Sequence, residues 1–260
     1  MNGLHDEPRA LTTRTLAIDI GGSHLKAGIL DPAGALQGER ARVATPHPAT
    51  PTAVVAALSE LCRPLAAFDR ISIGFPGFVR GEKVLTAPNL GTAHWSGFAL
   101  SAALADALGK PARMLNDASV QGLGVIQGQG VELVLTLGTG MGFALFQHGV
   151  LAPHLEMSQN PVRRRKTYDE YIGHGALEAI GKRRWNKRIH RVISIFETVV
   201  RYDVLYLGGG NATLVTLPLQ ENVRVVDNEA GITGGVRLWD NRMDPVFAVE
   251  AHPFAVPALV

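Results

Sequence analysis

Residues 15–30 read TLAIDIGGSHLKAGIL, and this stretch decides the fold. Thr15 to Ile20 is a short apolar run closed by Gly21-Gly22. Apolar residues then resume at every second position, Leu25, Ala27 and Ile29, up to the turn Asp31-Pro32-Ala33-Gly34. Alternation on either side of a glycine pair predicts a β-hairpin. A second unit of the same kind starts at Val131. A β-rich run to Leu137 ends in Gly138-Thr139-Gly140-Met141-Gly142, and Phe143 to Phe146 reads as the returning strand. Two such units, half a chain apart, predict an internal duplication with a cleft between the halves.

Between and after these units strands alternate with helices. Pro51 follows Thr50 where a first helical turn would start, and Val54, Val55, Leu58, Leu61 and Leu65 recur at helical spacing before a strand from Arg70 to Phe75. A helix is expected over residues 99–108, a strand over 112–115 and a helix from Ala118. Residues 168–202 read as mostly helical with a break between Gly173 and Gly181. A strand over 203–207, the turn Gly208-Gly209-Gly210-Asn211 and a last helix opened by Asn228-Glu229 and running through Trp239 complete an α/β pattern.

Composition narrows the class. With 260 residues, 46% of them hydrophobic, the chain can bury a full core, which excludes disorder for most of it. One cysteine, Cys62, excludes a disulfide framework and a cysteine-based metal cluster. No run of eighteen apolar residues occurs, and the opening from Met1 to Arg14 is polar. Neither a membrane span nor a signal peptide is expected, and the expected location is cytoplasmic. The net charge of +2 hides an asymmetry: residues 163–191 hold ten Lys or Arg against three acids, a net +7, leaving −5 for the remainder. Such a segment is either a solvated helix face or the footprint of a polyanion.

Three constellations carry chemistry. Asp19 at a strand end before Gly21-Gly22 suits a phosphate loop, because glycine lets backbone N–H groups approach an anion while the carboxylate holds Mg²⁺ directly or through water; an ordinary hairpin turn is the alternative. Gly138 to Gly142 is a second strand–glycine turn, with the Thr139 hydroxyl available to a phosphoryl oxygen. Asn116-Asp117 follows a buried strand. There Asp117 is either the N-cap of the next helix or a base that takes the proton of an attacking hydroxyl.

Taken in order, DIGGSHLKAGILD at 19–31, FPGFV at 75–79, APNL at 87–90, LNDA at 115–118, LTLGTGMGFALFQHGVLAPHLE at 135–156, YLGGGNA at 206–212 and NEAGITGG at 228–235 resemble the ROK sugar kinases. Within them the resemblance is strongest to the polyphosphate-glucokinase branch, the glucomannokinase type included. It implies an actin-like ATPase fold of two ribonuclease-H-like lobes around a central cleft, divided here as residues 1–114 and 115–260. It implies transfer of a phosphoryl group to the 6-hydroxyl of a hexose, glucose first, with Asp117 as the catalytic base. Asn89, Gly77, Asn116, Glu156, Gln159 and Asp169 fall where the family binds sugar. Asp19, Gly21, Gly22, Ser23 and Lys26 match the first phosphate motif, with Asp19 toward Mg²⁺. Gly138, Thr139, Gly140 and Gly142 match the second, and Gly208, Gly209 and Gly210 the motif beside adenosine in ATP-using relatives. Homodimers are common in the family.

Two departures matter. Many ROK proteins carry a cysteine-rich zinc loop, and the sequence around Glu156-Met157-Ser158-Gln159-Asn160 has no cysteine, so zinc is excluded. Gln159 stands where relatives have a sugar-contacting histidine, and glucose and mannose differ at one hydroxyl in that shell. The opening fourteen residues leave no room for a winged helix-turn-helix, which disfavours the repressor branch. For the donor, the cations Lys182, Arg183, Arg184, Lys187 and Arg188 favour polyphosphate, with ATP as an alternative. Nucleic acid is not expected, since only Tyr168, Tyr171 and Trp185 interleave the charges. A catalytically weakened sugar- or polyphosphate-binding protein and an ATP-dependent kinase of another hexose such as mannose are the competing readings. The apolar tail, residues 246–260, is expected to pack on the body or on a second copy.

Overall fold

The computed structural model describes residues 12–216, 218–226 and 230–248. The first hairpin forms as β1 (Thr15–Ile20) and β2 (His24–Leu30), antiparallel, with Ile20 opposite Leu25 across the glycine turn. β3 (Leu36–Ala44) extends the meander on the far side of β2. The sequence pattern gives no strand there because none of its nine residues is buried, so the edge carries no apolar alternation. In α1 (Pro51–Cys62), Thr50 Oγ1 accepts the Ala53 N–H at 3.3 Å and Pro51 occupies the first turn, where a missing N–H costs nothing. Val54, Leu58 and Cys62 recur at helical spacing as its buried face. β4 (Arg70–Phe75) then runs parallel to β1, and after α2 (Leu100–Leu108) β5 (Ala112–Asn116) runs parallel to β4. The sheet order is β3-β2-β1-β4-β5.

α3 (Asp117–Val125) leads into the second unit. β6 (Val131–Leu137), β7 (Met141–Gln147) and β8 (Val150–Leu151) form an antiparallel meander. The helices α4 (Tyr168–Ile172), α5 (His174–Ile180) and α6 (Lys182–Val200) are separated at Gly173 and Gly181, as the glycines predict. β9 (Val204–Gly208) and β10 (Val223–Val225) follow, each parallel to its neighbour, in the order β8-β7-β6-β9-β10. Third, second, first, fourth, fifth is the order of the first sheet again, so the duplication expected from the two glycine hairpins is present.

The last helix differs from expectation. Asn228 and Glu229 lie outside the described residues; a short α-turn at Ala230–Thr233 passes into 3₁₀ helix at Gly234–Trp239. The segment lies tight on α3, where a Cβ at Gly234 would stand 1.9 Å from the Val120 carbonyl, and Ser72 Oγ donates to the Gly235 carbonyl at 2.7 Å. Each sheet has its own core, one around Phe75 and Trp95, the other around Phe143, Trp185 and Phe196. The buried Trp185 indole donates to the Ile172 carbonyl at 2.7 Å, so its burial leaves no polar atom unpaired. α3 joins a third cluster, in which Val120 and Leu123 meet Phe146, Tyr206 and Leu238. Of the tail, Val246 and Phe247 pack on this cluster; residues 249–260 lie outside the described residues. Among the described residues no helix is long and apolar enough to cross a membrane.

Candidate active site

The junction of β5 and α3 sets the centre of the site. Asn116 is the N-cap: its Oδ1 accepts the Ala118 N–H at 3.0 Å while its amide donates to the Gly77 carbonyl at 3.1 Å. Capping, one of two roles open to Asp117, therefore falls to its neighbour. Asp117 is the first helical residue, and its Oδ1 also accepts the Ala118 N–H at 2.7 Å. Burial first, then repulsion from Asp19 and from Glu156, push its carboxyl up to about 7, against the opposing pull of the Ala118 N–H and His154.

Asp117 lines a cleft of about 660 Å³ between the two sheets. The first unit contributes Gly21 and Gly22 from the turn after β1, together with Gly77 and Asn89; the second contributes Thr136, the turn Gly138 to Gly142, Glu156, Ser158, Gln159 and Asp169. Close packing holds the start of α3 and the turn together. A Cβ at Gly142 would stand 2.2 Å from Thr136 Oγ1 and 2.6 Å from the Ala118 methyl, so only glycine lets the first turn of α3 settle there.

One wall of the cleft is a hydrogen-bonded row. Behind it His154 stands without a hydrogen bond, its Nε2 3.6 Å from Glu156 Oε2 and its ring edge-on against Phe78 at 4.7 Å. Ser158 Oγ donates to Glu156 Oε1. Gln159 Nε2 donates to Ser158 Oγ at 3.2 Å and to Asp169 Oδ2 at 2.9 Å, and Asp169 Oδ1 accepts the Met141 N–H at 2.7 Å. Burial raises the Asp169 carboxyl above its ordinary range, with Glu156 adding to the shift while the Met141 and Gln159 donors oppose it. For Glu156, burial raises the carboxyl, yet the nearby His154 imidazole and the hydrogen bond from Ser158 outweigh it and hold the group low.

The cationic helix start lies next to this cleft. A groove of about 470 Å³ is lined by Ile180, Gly181, Lys182, Arg183, Arg184 and Lys187, and Ile180 also lines the cleft. Arg188 lines the cleft as well; its guanidinium donates to the Tyr171 carbonyl at 2.9 Å and lies 4.6 Å above the Tyr171 ring. Lys166 is a further cation on the cleft wall.

A model of the ROK family matches residues 15–153, more than half of the chain. The chain belongs to the ROK family. It is 30% identical over 250 residues to a polyphosphate glucokinase of Mycobacterium tuberculosis (strain ATCC 25618 / H37Rv), spanning 88% of this chain and 92% of that protein. The crystal structure of the inorganic polyphosphate/ATP-glucomannokinase from Arthrobacter sp. strain KM superposes with a TM-score of 0.77 at 31% identity, covering 87% of this chain and 98% of that one. A ROK family glucokinase from Streptomyces griseus, solved with glucose and AMPPNP, gives a TM-score of 0.69 at 20% identity, 86% of this chain and 98% of that one. The fold is the actin-like ATPase fold that the motifs imply.

Against that fold, this ROK chain brings together Asp117, Asn116, Gly77, Asn89, Glu156, Gln159, Asp169, Gly21, Gly22 and Gly138 to Gly142 around one cavity. Other named residues stand behind or beside it. Asp19 pairs with Lys26 Nζ at 2.9 Å, and Ser23 is exposed in the turn between β1 and β2. Gly208 to Gly210 do not line the cleft; Asn211 donates its backbone N–H to the Leu137 carbonyl at 2.9 Å and its amide to the Gly138 carbonyl at 3.2 Å. That turn buttresses the second glycine turn from outside. Sequence reasoning passed over Ser158, Thr136 and His154. Ser158 carried a faint signal, a small hydroxyl between Glu156 and Gln159; the buried His154 imidazole carried none.

Proposed function

We propose that the chain transfers a phosphoryl group to the 6-hydroxyl of a hexose, glucose foremost, with inorganic polyphosphate as preferred donor and ATP as an alternative. The observation that carries this reading is the Asp117 carboxyl, pushed up to about 7, on the floor of a cleft shared by two glycine turns. A base poised near neutral pH suits removal of a hydroxyl proton as the hydroxyl oxygen attacks. In the reaction the sugar O6–P bond forms, the bridging P–O bond of the donor breaks, the O6 proton passes to Asp117 and the shortened donor leaves with the bonding electron pair. Little covalent work falls to the protein, so positioning and charge stabilisation dominate.

Asn89 and Glu156 are the proposed hydroxyl ligands, with Gly77 and Gln159 beside them. Asn116 donates its amide to the Gly77 and Phe75 carbonyls at 3.1 and 3.5 Å and spends one oxygen lone pair on Ala118, which leaves it a single acceptor position for a sugar hydroxyl. The turns Gly21-Gly22 and Gly138 to Gly142 are proposed to receive the phosphoryl group through backbone N–H groups. Mg²⁺ fits the donor set: Asp19 has Oδ2 on Lys26 Nζ at 2.9 Å and keeps Oδ1 for the ion or one of its waters, and this cation characteristically takes one or two carboxylates and completes its shell with waters and phosphate oxygens. Asp19 would hold it, and bound there it would neutralise charge on the transferring phosphoryl group.

Polyphosphate is favoured over ATP by the helix start. Four cations sit in or near the first turn of α6, where the helix dipole is unfavourable to positive charge and the unpaired N–H groups also face outward. Such a concentration of positive potential is suited to a polyanion, and its groove meets the cleft at Ile180. The lobe division near residue 115 and a homodimer in solution belong to the same proposal. The deciding experiment is a coupled assay of 6-phosphate formation from glucose and mannose, each with polyphosphate and with ATP. Turnover of glucose with polyphosphate above that with ATP is expected; no turnover with either donor would remove the proposal.

A further inference from the structure

The wall row gives Asp169 a role other than sugar contact. Both of its carboxylate oxygens are engaged inside the protein, Oδ1 by the Met141 N–H at 2.7 Å and Oδ2 by Gln159 Nε2 at 2.9 Å. The side chain is aimed by a rigid base. Thr167 and Glu170 form a reciprocal capping box at the start of α4, with the Glu170 N–H on Thr167 Oγ1 at 3.2 Å and the Thr167 N–H on Glu170 Oε2 at 2.9 Å. Contact with the second glycine turn is close enough to dictate its sequence: a Cβ at Gly140 would stand 2.3 Å from Asp169 Oδ1. Just beyond α4, the His174 N–H reaches the Gly138 and Thr139 carbonyls at 3.0 and 3.1 Å. The segment from Asp169 to His174 thus grips the turn at both ends.

We propose that Asp169 is a positioning residue of the second glycine turn and not a sugar ligand, and that Gln159 extends this brace through Ser158 to Glu156, tying the donor-side turn to the acceptor side. The residue type at 159 follows from that geometry. One amide nitrogen carries two N–H groups, which serve Asp169 and Ser158 together, whereas an imidazole nitrogen carries at most one. The departure from the family histidine is therefore matched to the brace.

The inference rests on the kinase reading for its kinetic test, and a backbone readout tests it apart from that reading. Asp169→Ala leaves the Met141 N–H without its acceptor, and its amide exchange in the intact chain should accelerate by about tenfold or more; Asp169→Asn keeps an acceptor oxygen and should preserve protection. In turnover, Asp169→Ala should lower kcat/KM for the donor by about tenfold or more, with the hexose dissociation constant, measured by calorimetry without donor, changed less than about threefold. Gly140→Ala should match that loss, and the double variant Gly140→Ala, Asp169→Ala should be no worse than the poorer single variant, since the two changes disturb one contact. A hexose dissociation constant raised tenfold in Asp169→Ala with donor kinetics intact would make Asp169 a sugar ligand and overturn the proposal. So would unchanged Met141 exchange, or full additivity of the two changes. An inactive parent chain would sink the kinase reading and leave the exchange result to decide this one.

Discussion

Replacing Asp117 by Asn should abolish turnover and stabilise the fold at once, and the two effects have one origin. The carboxyl stands at about 7 in the folded chain against an ordinary 3.8, chiefly through burial and then through Asp19. A group raised on folding favours the native state while it is protonated in both states, and that advantage is lost as pH rises from about 4 through about 7. At pH 8 the charged carboxylate costs the fold up to about 4 kcal/mol, and about half of that is a fair expectation for a group open to cleft water. The asparagine carries no charge and escapes this cost. Asp117→Asn should therefore melt about 4–8 °C above the parent at pH 8, with the gap closing toward pH 4. Turnover should fall about 10²–10⁴-fold, and the parent's own kcat/KM should decline below about pH 7 as the base becomes protonated. Calorimetric melting at pH 4, 6 and 8, beside a coupled assay on the same preparations, checks both halves. Equal or lower melting of the variant at pH 8 would refute the assigned electrostatics, and undiminished turnover would refute the assigned base.

Three further outcomes follow from named contacts. Changing Lys182, Arg183, Arg184 and Lys187 together to Ala should raise the polyphosphate KM and flatten the steep salt dependence of polyphosphate-driven turnover, with ATP-driven turnover nearly unchanged; salt titrations with both donors measure this. Gly142→Ala forces a methyl onto Thr136 Oγ1 and the Ala118 methyl, so it should cost about 1–3 kcal/mol in urea unfolding and displace the Asp117 turn enough to lower kcat. Glu132→Ala removes a buried carboxylate that accepts the Gln127, Gly128 and Gln129 N–H groups at 2.7, 2.7 and 3.1 Å and the Tyr206 hydroxyl at 3.0 Å; a loss of about 3–5 kcal/mol in the same assay is expected, with hexose affinity of the folded fraction intact.

What the sequence disclosed of the fold depended on where each element sits. β1, β6 and α1 were legible because one or both faces are buried, which writes alternation or helical spacing into the residue pattern. β3 was not, since an exposed edge held by backbone hydrogen bonds imposes no apolar period. The 3₁₀ segment at Gly234–Trp239 was misread as helix for a different reason. Its geometry answers to the Val120 carbonyl and Ser72, which are remote in sequence and which no local propensity reports.

The site divides along the same line. Glycine turns and the Asn-Asp pair announce themselves because strand-end glycines and carboxylates are uncommon enough in order to be recognised together. Roles within the cleft stayed hidden, because they are settled by which hydrogen-bond capacity is already spent. Asn116 and Asp117 are adjacent and both could cap α3; the cap falls to Asn116, whose amide also reaches the Gly77 carbonyl, and this leaves Asp117 at the first helical position on the cleft floor. Asp169 and Glu156 are both wall carboxylates, yet one is engaged by the turn on Oδ1 and by Gln159 on Oδ2, and the other is held low by His154 and Ser158. The charged Glu156 thus keeps its acceptor oxygens across neutral pH, as the proposed sugar contact requires, while Asp117 titrates within it. Two carboxyls of one cleft pushed in opposite directions is the arrangement that acceptor binding and proton removal each require.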